Sequence, residues 1–139
     1  MSNFKFEPAV SGLRCVHQGK VRDTFAIPGH PELLLMVATD RVSTHNIVHR
    51  SIIPMKGYAL TALMVFWMSE ELSGIKTHLV AFGNGIFRHI PRQKRPDDLV
   101  LRGLVIRRLT MIPVEFIFRS RMAGSLWKDY YQKGLPNPY

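Results

Sequence analysis

The sequence predicts an α+β fold built on an antiparallel β-sheet with flanking helices. Three strand-like segments fall within the first forty residues, and turn-forming residues rather than a helix separate each one from the next. One stretch with helical periodicity follows, and further strand-like segments come after it. This order is typical of hairpins in an antiparallel sheet and argues against a βαβ start.

The first two strands are predicted at residues 13–17 and 20–25, around a tight turn at Gln18 and Gly19. The third, at residues 32–38, is the continuous apolar run ELLLMVA, which turn residues precede. A short apolar run of this kind predicts a buried strand in the centre of the sheet.

Residues 58–72 have the periodicity of an amphipathic helix, and Ser73 with Gly74 marks its end. Apolar side chains at this spacing form a core face far more often than a cofactor site. We therefore expect one buried helix face, made of Leu60, Leu63, Met64, Trp67, Met68 and Leu72.

Two further strands are predicted at residues 99–109 and 113–119, after a short strand at 77–82 and a mobile basic loop at 83–96. Alternation along residues 113–119 places Glu115, Ile117 and Arg119 on one face of the strand. We expect a first lobe at residues 1–110 and the start of a second, incomplete lobe at residues 111–139.

Ser125 is predicted to be the N-cap of a last helix, which runs to Lys133 and ends at Gly134. A Gly-Ser pair at a helix start can also present backbone N–H groups to an anion. The pattern alone favours the simple cap.

The formal net charge of +9 predicts an anionic partner, which could be nucleic acid, an acidic membrane surface or phosphorylated small molecules. A solvated basic face is the alternative.

The single cysteine excludes an intrachain disulfide, and the longest apolar stretch, residues 62–68, is too short to span a bilayer. We expect a cytoplasmic protein without membrane attachment. Basic residues crowd one third of the chain: Arg88, Arg92, Lys94, Arg95, Arg102, Arg107 and Arg108.

Three segments in order carry a family resemblance. The first is GKVRDTF at residues 19–25, the second is LLLMVATDRVSTHNIVHRSIIPMKG at residues 33–57, and the third is MIPVEFIFRSRMAGS at residues 111–125. Together they resemble the SAICAR synthetase family, whose amino-terminal half they cover. The resemblance implies an antiparallel β lobe that binds ATP, related to ATP-grasp and kinase-like lobes, followed by an α/β lobe.

The resemblance also implies an activity. Family members join carboxyaminoimidazole ribotide to L-aspartate with ATP and Mg²⁺, giving SAICAR, ADP and phosphate, a ligase step of purine biosynthesis. Such catalysis rests on positioning and charge neutralisation. The implied partners are these small molecules, and a homo-oligomer stays open.

The cofactor-binding residues implied by the resemblance fall into two groups. Gly19 would let the backbone approach the phosphates of ATP, while Lys20 and Arg22 supply positive charge. The alternative is an exposed basic hairpin. Beside the adenine, the resemblance implies the linker residues Arg108, Leu109 and Met111, although apolar packing explains Leu109 equally well.

The implied substrate-binding residues lie in the second and third segments. Arg119 would bind a carboxylate or phosphate through two hydrogen bonds, and Glu115 would either orient Arg119 or reach the base side of the nucleotide. The others are Asp40, Ser43, Lys56 and Ser125. Lys56 would contact an anionic part of the nucleotide or substrate, and a turn or helix cap is the competing explanation for Asp40, Ser43 and Ser125.

The departures from the family pattern bear on catalysis. Asn46 stands where the family has aspartate, and the family's second signature, Asp-x-Lys-x-Glu-Phe-Gly, does not occur in the sequence. We therefore assign no catalytic residue and no metal ligand in this chain, expect the metal ligands in a carboxy-terminal half, and expect a fragment with little activity of its own. His45 and His49 lie four apart, but in a loop-and-strand context without a third ligand.

Two other functions remain open. Asn46 is compatible with a relative that binds nucleotide without catalysis, and the charge is compatible with a nucleic-acid-binding module. The sequence lacks a recognised nucleic-acid-binding motif and interleaved aromatics, which argues against the second.

Overall fold

The computed structural model describes residues 7–45, 47–91, 96–114, 116, 118, 120–121 and 124–134. The chain divides into two compact units, Met1–Leu109 and Thr110–Tyr139. Each is described by itself, and the assignment of the second to an α/β lobe remains a prediction.

The first unit contains seven described strands: β1 (Cys15–Gln18), β2 (Arg22–Ile27), β3 (His30–Ala38), β4 (Arg41–Thr44), β5 (Ile47–Ile52), β6 (Leu79–Phe82) and β7 (Gly103–Arg107). Five of them form an antiparallel sheet with the order β1-β2-β3-β7-β6. This confirms the predicted antiparallel sheet and the central position of its third strand. A separate hairpin, β4-β5, follows β3.

The core lies against one face of this sheet. Alternate residues of β2 and β3 are buried there, among them Phe25, Leu35 and Val37, because successive side chains of a strand point to opposite faces. Residues outside the strands cover this face, notably Val10, Leu13, Ile86, Ile90 and Leu99.

Two segments differ from the sequence prediction. The predicted loop at 83–96 contains a 3₁₀ helix, Gly83–Arg88, and buries Ile86 and Ile90 in the core. The strand predicted from residue 99 begins at Gly103, because Leu99–Arg102 form the short helix α2. A Cβ at Gly103 would lie 2.8 Å from the Leu99 carbonyl oxygen, so the change from helix to strand needs glycine there.

The helix α1 (Lys56–Phe66) continues into a π-helical turn, Trp67–Glu71. The prediction of a buried apolar face is wrong for Leu63, Trp67 and Leu72, which are exposed, whereas Leu60, Met64 and Met68 are half-buried. Leu63 and Trp67 are 56% and 52% exposed, whereas Gly57 and Thr61 are buried. The reason is close backbone packing: a Cβ at Gly57 would lie 2.9 Å from the Ala38 carbonyl oxygen, so the side of the helix with the smallest residue meets β3.

In the second unit, the helix α3 (Ser125–Lys133) ends before Gly134, as predicted. Its N-cap is Gly124, with φ 72°, and the cap has no side-chain hydrogen bond, so the prediction of Ser125 as N-cap is wrong. Only glycine adopts that backbone conformation without strain.

The strand predicted at 113–119 falls partly outside the described residues, which omit Glu115, Ile117 and Arg119. Its described members are not in a strand, and Val114, Phe116 and Phe118 are exposed. None of the helices in the described part of the chain has the length and apolar character that a membrane-spanning segment requires.

Gly57→Ala should destabilise the first unit by about 1–3 kcal/mol, because a methyl group there overlaps the backbone of β3. Urea unfolding followed by Trp67 fluorescence tests this. The chain has two tryptophans, so a Trp127→Phe background isolates the signal of Trp67.

Gly74→Ala is the matched control, since nothing lies within 4 Å of a Cβ at that position. Equal stabilities of the two alanine variants would contradict the close packing of α1 on β3.

Candidate functional site

The turn between β1 and β2 is the first part of the candidate site. The Gly19 N–H donates to the Arg22 carbonyl oxygen at 2.7 Å, and a Cβ at Gly19 would lie 2.9 Å from that oxygen. Glycine is therefore required for the turn itself, whatever the turn binds. The side chains of Lys20 and Arg22 are exposed.

Side chains from the interior hold the carbonyl groups of this turn. Arg41 donates from Nη2 to the Gly19 oxygen at 3.0 Å and from Nε to the Lys20 oxygen at 3.3 Å. Thr39 donates to the Val21 oxygen from its backbone N–H at 3.0 Å and from Oγ1 at 2.9 Å. Three consecutive carbonyls thus face Arg41 and Thr39. In a trans peptide the N–H lies opposite the C=O, so the amides of Lys20 and Val21 point away from those two residues.

Arg41 is itself held by a buried carboxylate. Nη2 and Nη1 of Arg41 donate to Oδ1 and Oδ2 of Asp23, the second contact at 3.2 Å. Arg41 is 4% exposed and Asp23 is fully buried. The Ala9 N–H also donates to Asp23 Oδ2, at 3.0 Å. The pairing supplies opposite charge and hydrogen bonds to groups that would be costly to bury alone.

Sequence reasoning assigned no role to Asp23 or Arg41. A signal exists for the first: Asp23 is in phase with Phe25 and Ile27, the buried residues of β2. A carboxylate at a core position of a strand predicts a buried cationic partner. Arg41, in the motif TDR, completes the pair from a segment eighteen residues away.

Asp40 holds the start of α1. Its Oδ1 accepts from the Gly57 N–H at 2.8 Å and its Oδ2 from the Met55 N–H at 3.1 Å. Met55 has a left-handed φ of 65° and no side-chain cap bond, so Asp40 supplies the acceptor that the helix lacks locally. A negative charge at this end also stabilises the helix dipole.

Lys56 and Ser43 lie near the same segment. Lys56 donates from Nζ to the Arg41 carbonyl oxygen at 3.1 Å. Ser43 is half-buried in β4, opposite Val48. Arg41 therefore makes hydrogen bonds with Gly19, Lys20 and Lys56, three of the predicted site residues, and follows Asp40 directly in the chain.

Arg108 and Leu109 lie where β7 ends. The Arg108 N–H donates to the Glu32 oxygen at 2.8 Å, and its Nε donates to the Pro31 oxygen at 2.9 Å. Two open grooves flank Arg108: one of about 690 Å³, which Arg14 and His30 also line, and one of about 380 Å³, which Leu109 also lines. Both have the size of small-molecule sites.

Charge at this end of the sheet is mixed. A backbone hydrogen bond lowers the pKa of Glu32, and the imidazoles of His30 and His89 act in the same direction, while desolvation opposes them. His30 Nδ1 lies 3.3 Å from Glu32 Oε1. Glu32 is therefore an anionic neighbour of the grooves beside Arg108.

The remaining predicted residues belong to the second unit or lie outside the described residues. Met111 is 79% exposed, and Ser125 is the first residue of α3. Glu115, Arg119 and the family departure Asn46 lie outside the described residues.

The described residues contain no group of three or more histidine, cysteine or acidic side chains that could hold a metal ion. His49 Nε2 instead lies 2.6 Å from Thr44 Oγ1, across the β4-β5 hairpin.

Known proteins are similar to this chain in sequence and in fold. The family model for SAICAR synthetase matches residues 15–138. A phosphoribosylaminoimidazole-succinocarboxamide synthase from Desulfotalea psychrophila is 40% identical over 122 residues, which are 86% of this chain and 40% of the relative. The one from Saccharomyces cerevisiae is 37% identical over 128 residues, 88% of this chain and 41% of the relative. A solved structure, SAICAR synthase from Saccharomyces cerevisiae complexed with SAICAR, aligns with a TM-score of 0.78 and 32% identity, covering 94% of this chain and 45% of that one.

These matches first show the class of protein: by family, the chain belongs to the biosynthetic enzymes. The family is that of SAICAR synthetase, and the chain belongs to it. The resemblance drawn from the three sequence segments is thus confirmed. The chain spans less than half the length of the curated relatives it matches.

Asp40→Ala should lower the stability of the first unit by about 1–2 kcal/mol, because the N–H groups of Met55 and Gly57 lose their acceptor. Urea unfolding followed by Trp67 fluorescence in the Trp127→Phe background measures the change. The control is Asp97→Ala, which removes an exposed aspartate with no hydrogen bond to a described residue. If both alanine variants unfold at the same urea concentration, Asp40 does not cap α1.

Proposed function

We propose that this chain forms the ATP-binding lobe of an enzyme that joins carboxyaminoimidazole ribotide to L-aspartate, giving SAICAR, ADP and phosphate. Family membership supports the ligase reaction, and the SAICAR bound to the yeast relative supports small-molecule substrates of this kind. The proposal concerns the whole enzyme, to which this chain contributes the nucleotide-binding part.

The observation that carries the proposal is the β1-β2 turn. Its carbonyls face Arg41 and Thr39, so two consecutive amides, those of Lys20 and Val21, point the other way. Successive N–H groups directed to one side form a concavity suited to an anion. The exposed cations of Lys20 and Arg22 flank these amides. Amides and cations together suit the phosphates of ATP, to which Lys20 contributes a mobile charge and Arg22 a planar fork.

The spacing of the sheet supports a second contact at the base end of the nucleotide. Arg22 and Ile27 begin and end β2, five residues apart, which corresponds to about 17 Å along a strand. Arg108 and its two grooves lie beside Pro31 and Glu32, just after the β2-β3 turn. An extended nucleoside triphosphate, together with the reach of the Lys20 side chain, suits this separation. We assign the adenine to the neighbourhood of Arg108 and Leu109, and the corresponding role of Met111 remains a prediction.

Amide formation from a carboxylate needs an activated carboxylate, and ATP supplies the activation. The residues of this chain contribute binding and orientation: Lys20 and Arg22 neutralise phosphate charge, and the turn amides donate hydrogen bonds. Lys56 and Ser43 lie near the same segment and are our candidates for substrate contacts. The corresponding roles of Asp40, Glu115, Arg119 and Ser125 remain predictions. Asp40 already accepts two backbone hydrogen bonds, so any substrate would share its oxygens.

Mg²⁺ remains an expectation from the family resemblance. The described residues contain no group of three or more histidine, cysteine or acidic side chains that could hold a metal ion, and we expect its ligands in a carboxy-terminal half. Hard oxygen ligands are what Mg²⁺ prefers, and it is often held by one or two carboxylates together with substrate phosphates.

Lys20→Ala and Arg22→Ala should each weaken ATP binding by about 1 kcal/mol, or roughly fivefold in Kd, and increasing salt should weaken binding by the wild-type chain. Isothermal titration calorimetry with ATP, tripolyphosphate and adenosine provides the measurement. The losses should appear for ATP and tripolyphosphate and be absent for adenosine, because both cations are assigned to the phosphates.

The matched control is Lys76→Ala, which removes an exposed lysine before β6. An equal loss of ATP affinity in this variant would show that the effect comes from net charge and not from the position of Lys20 and Arg22. Unchanged affinities in both turn variants would contradict the phosphate assignment. Binding of random oligonucleotides more tightly than ATP at the same salt would favour the nucleic-acid alternative.

A further inference from the structure

The side chain of Arg41 donates hydrogen bonds to two sets of acceptors, and each set has a different effect. Two of its hydrogen bonds go to the carboxylate of Asp23, and two go to the carbonyl oxygens of Gly19 and Lys20. The first set balances its charge. The second fixes the orientation of two peptide units in the turn. Only a guanidinium offers donors on three nitrogens in a fixed plane, so that one side chain meets both sets.

Net stability is a poor explanation for this arrangement. Asp23 and Arg41 are almost completely buried, and the desolvation of such a pair offsets most of its attraction. The pair does, however, have a geometric effect. Because Arg41 holds the carbonyls of Gly19 and Lys20 inward, the amides that follow them in the chain, those of Lys20 and Val21, are directed the opposite way.

We propose that Arg41 is a positioning residue for polyphosphate binding: without touching the ligand, it orients the β1-β2 turn so that the Lys20 and Val21 amides face the phosphates. This inference rests on the proposed function, since it takes the same turn as the phosphate site. Asp23 has a supporting role, because it accepts from Nη1 and Nη2 and so helps to fix the plane of the guanidinium.

The contacts of Arg41 reach beyond the turn. Its carbonyl oxygen accepts from Lys56 Nζ, at the first residue of α1, and its backbone follows Asp40, which caps that helix. A shift of Arg41 therefore acts on the turn and on the start of α1 together. Pre-organisation of this kind improves affinity by reducing the ordering that binding requires.

Arg41→Lys separates the two sets of contacts. A lysine ammonium at this position keeps the charge and still pairs with Asp23, but its donors all sit on one nitrogen, so it does not hold both carbonyls as well. We expect a roughly fivefold weaker affinity for tripolyphosphate by calorimetry and an unchanged affinity for adenosine. Amide hydrogen exchange in the peptide containing residues 19–22 should become faster.

The salt dependence distinguishes positioning from direct contact. In Arg41→Lys, tripolyphosphate affinity should fall with salt as steeply as in the wild type, because Lys20 and Arg22 remain. In Lys20→Ala the dependence should be shallower. The matched control is Arg102→Lys. Within the described residues the Arg102 side chain bonds to Asp98, at 2.7 and 3.0 Å, and to the Ala9 carbonyl oxygen, at 3.5 Å, and not to the turn, so the tripolyphosphate affinity of this variant should match the wild type.

Each outcome separates the two proposals. If the wild-type chain does not bind tripolyphosphate, the phosphate assignment itself fails. If the wild type binds and Arg41→Lys binds equally well, the positioning role of Arg41 is overturned while the phosphate assignment stands. A salt dependence that becomes shallower in Arg41→Lys would make Arg41 a direct contact and also overturn the proposal.

Thr39→Val provides a second test if Arg41→Lys does not fold. It removes the Oγ1 hydrogen bond to the Val21 oxygen and leaves the backbone one, so it loosens the same turn more gently. We expect a roughly twofold loss of tripolyphosphate affinity with adenosine affinity unchanged. An unchanged tripolyphosphate affinity in this folded variant would show that the turn does not need to be held, which would overturn the proposal.

Discussion

The buried ion pair between Asp23 and Arg41 is the interaction on which the site-bearing part of the first unit depends. Asp23 lies on β2 and Arg41 begins β4, so the pair ties the sheet to the hairpin that follows it. The Ala9 N–H also donates to the Asp23 carboxylate, and Lys56 Nζ donates to the Arg41 carbonyl oxygen. Removing either charge would leave the other buried without a partner, which costs far more than the intact pair contributes.

The sheet could be predicted from the sequence because its strands carry their own pattern. Phe25 and Ile27 alternate with half-buried residues, and residues 33–38 are apolar throughout, so each strand is evident locally. The face of α1 could not be predicted in this way. Periodicity shows which side of a helix is apolar, whereas packing here follows the close backbone approach at Gly57 and leaves Trp67 exposed. The start of β7 could not be predicted, because Leu99 and Gly103 are both compatible with an apolar strand. Only the tertiary structure shows that Leu99–Arg102 form a helix and that the strand begins at Gly103.

The candidate site was predictable only in part, for a related reason. Lys20 and Arg22 stand out in a sequence because they are charged and adjacent to a glycine turn, and the structure leaves both exposed. Asp23 and Arg41 determine the geometry of that turn, but their importance arises from a contact between residues eighteen positions apart. Asp40 shows the same limit: its carboxylate meets amides at Met55 and Gly57, which only the fold brings near.

Geometry and charge at the β1-β2 turn are therefore supplied by different residues. Asp23 and Arg41 neutralise each other, so the buried pair adds little net field outside the protein while it orients the peptides of Gly19 and Lys20. The exposed Lys20 and Arg22 supply the field, which solvent and salt screen strongly. Under the proposed phosphate assignment, salt weakens the attraction exerted by Lys20 and Arg22, while the buried hydrogen bonds that hold the turn are screened much less. The chain's charge of +9 by itself would produce salt-sensitive binding of many anions, whereas two oriented amides favour a ligand whose oxygens match their spacing.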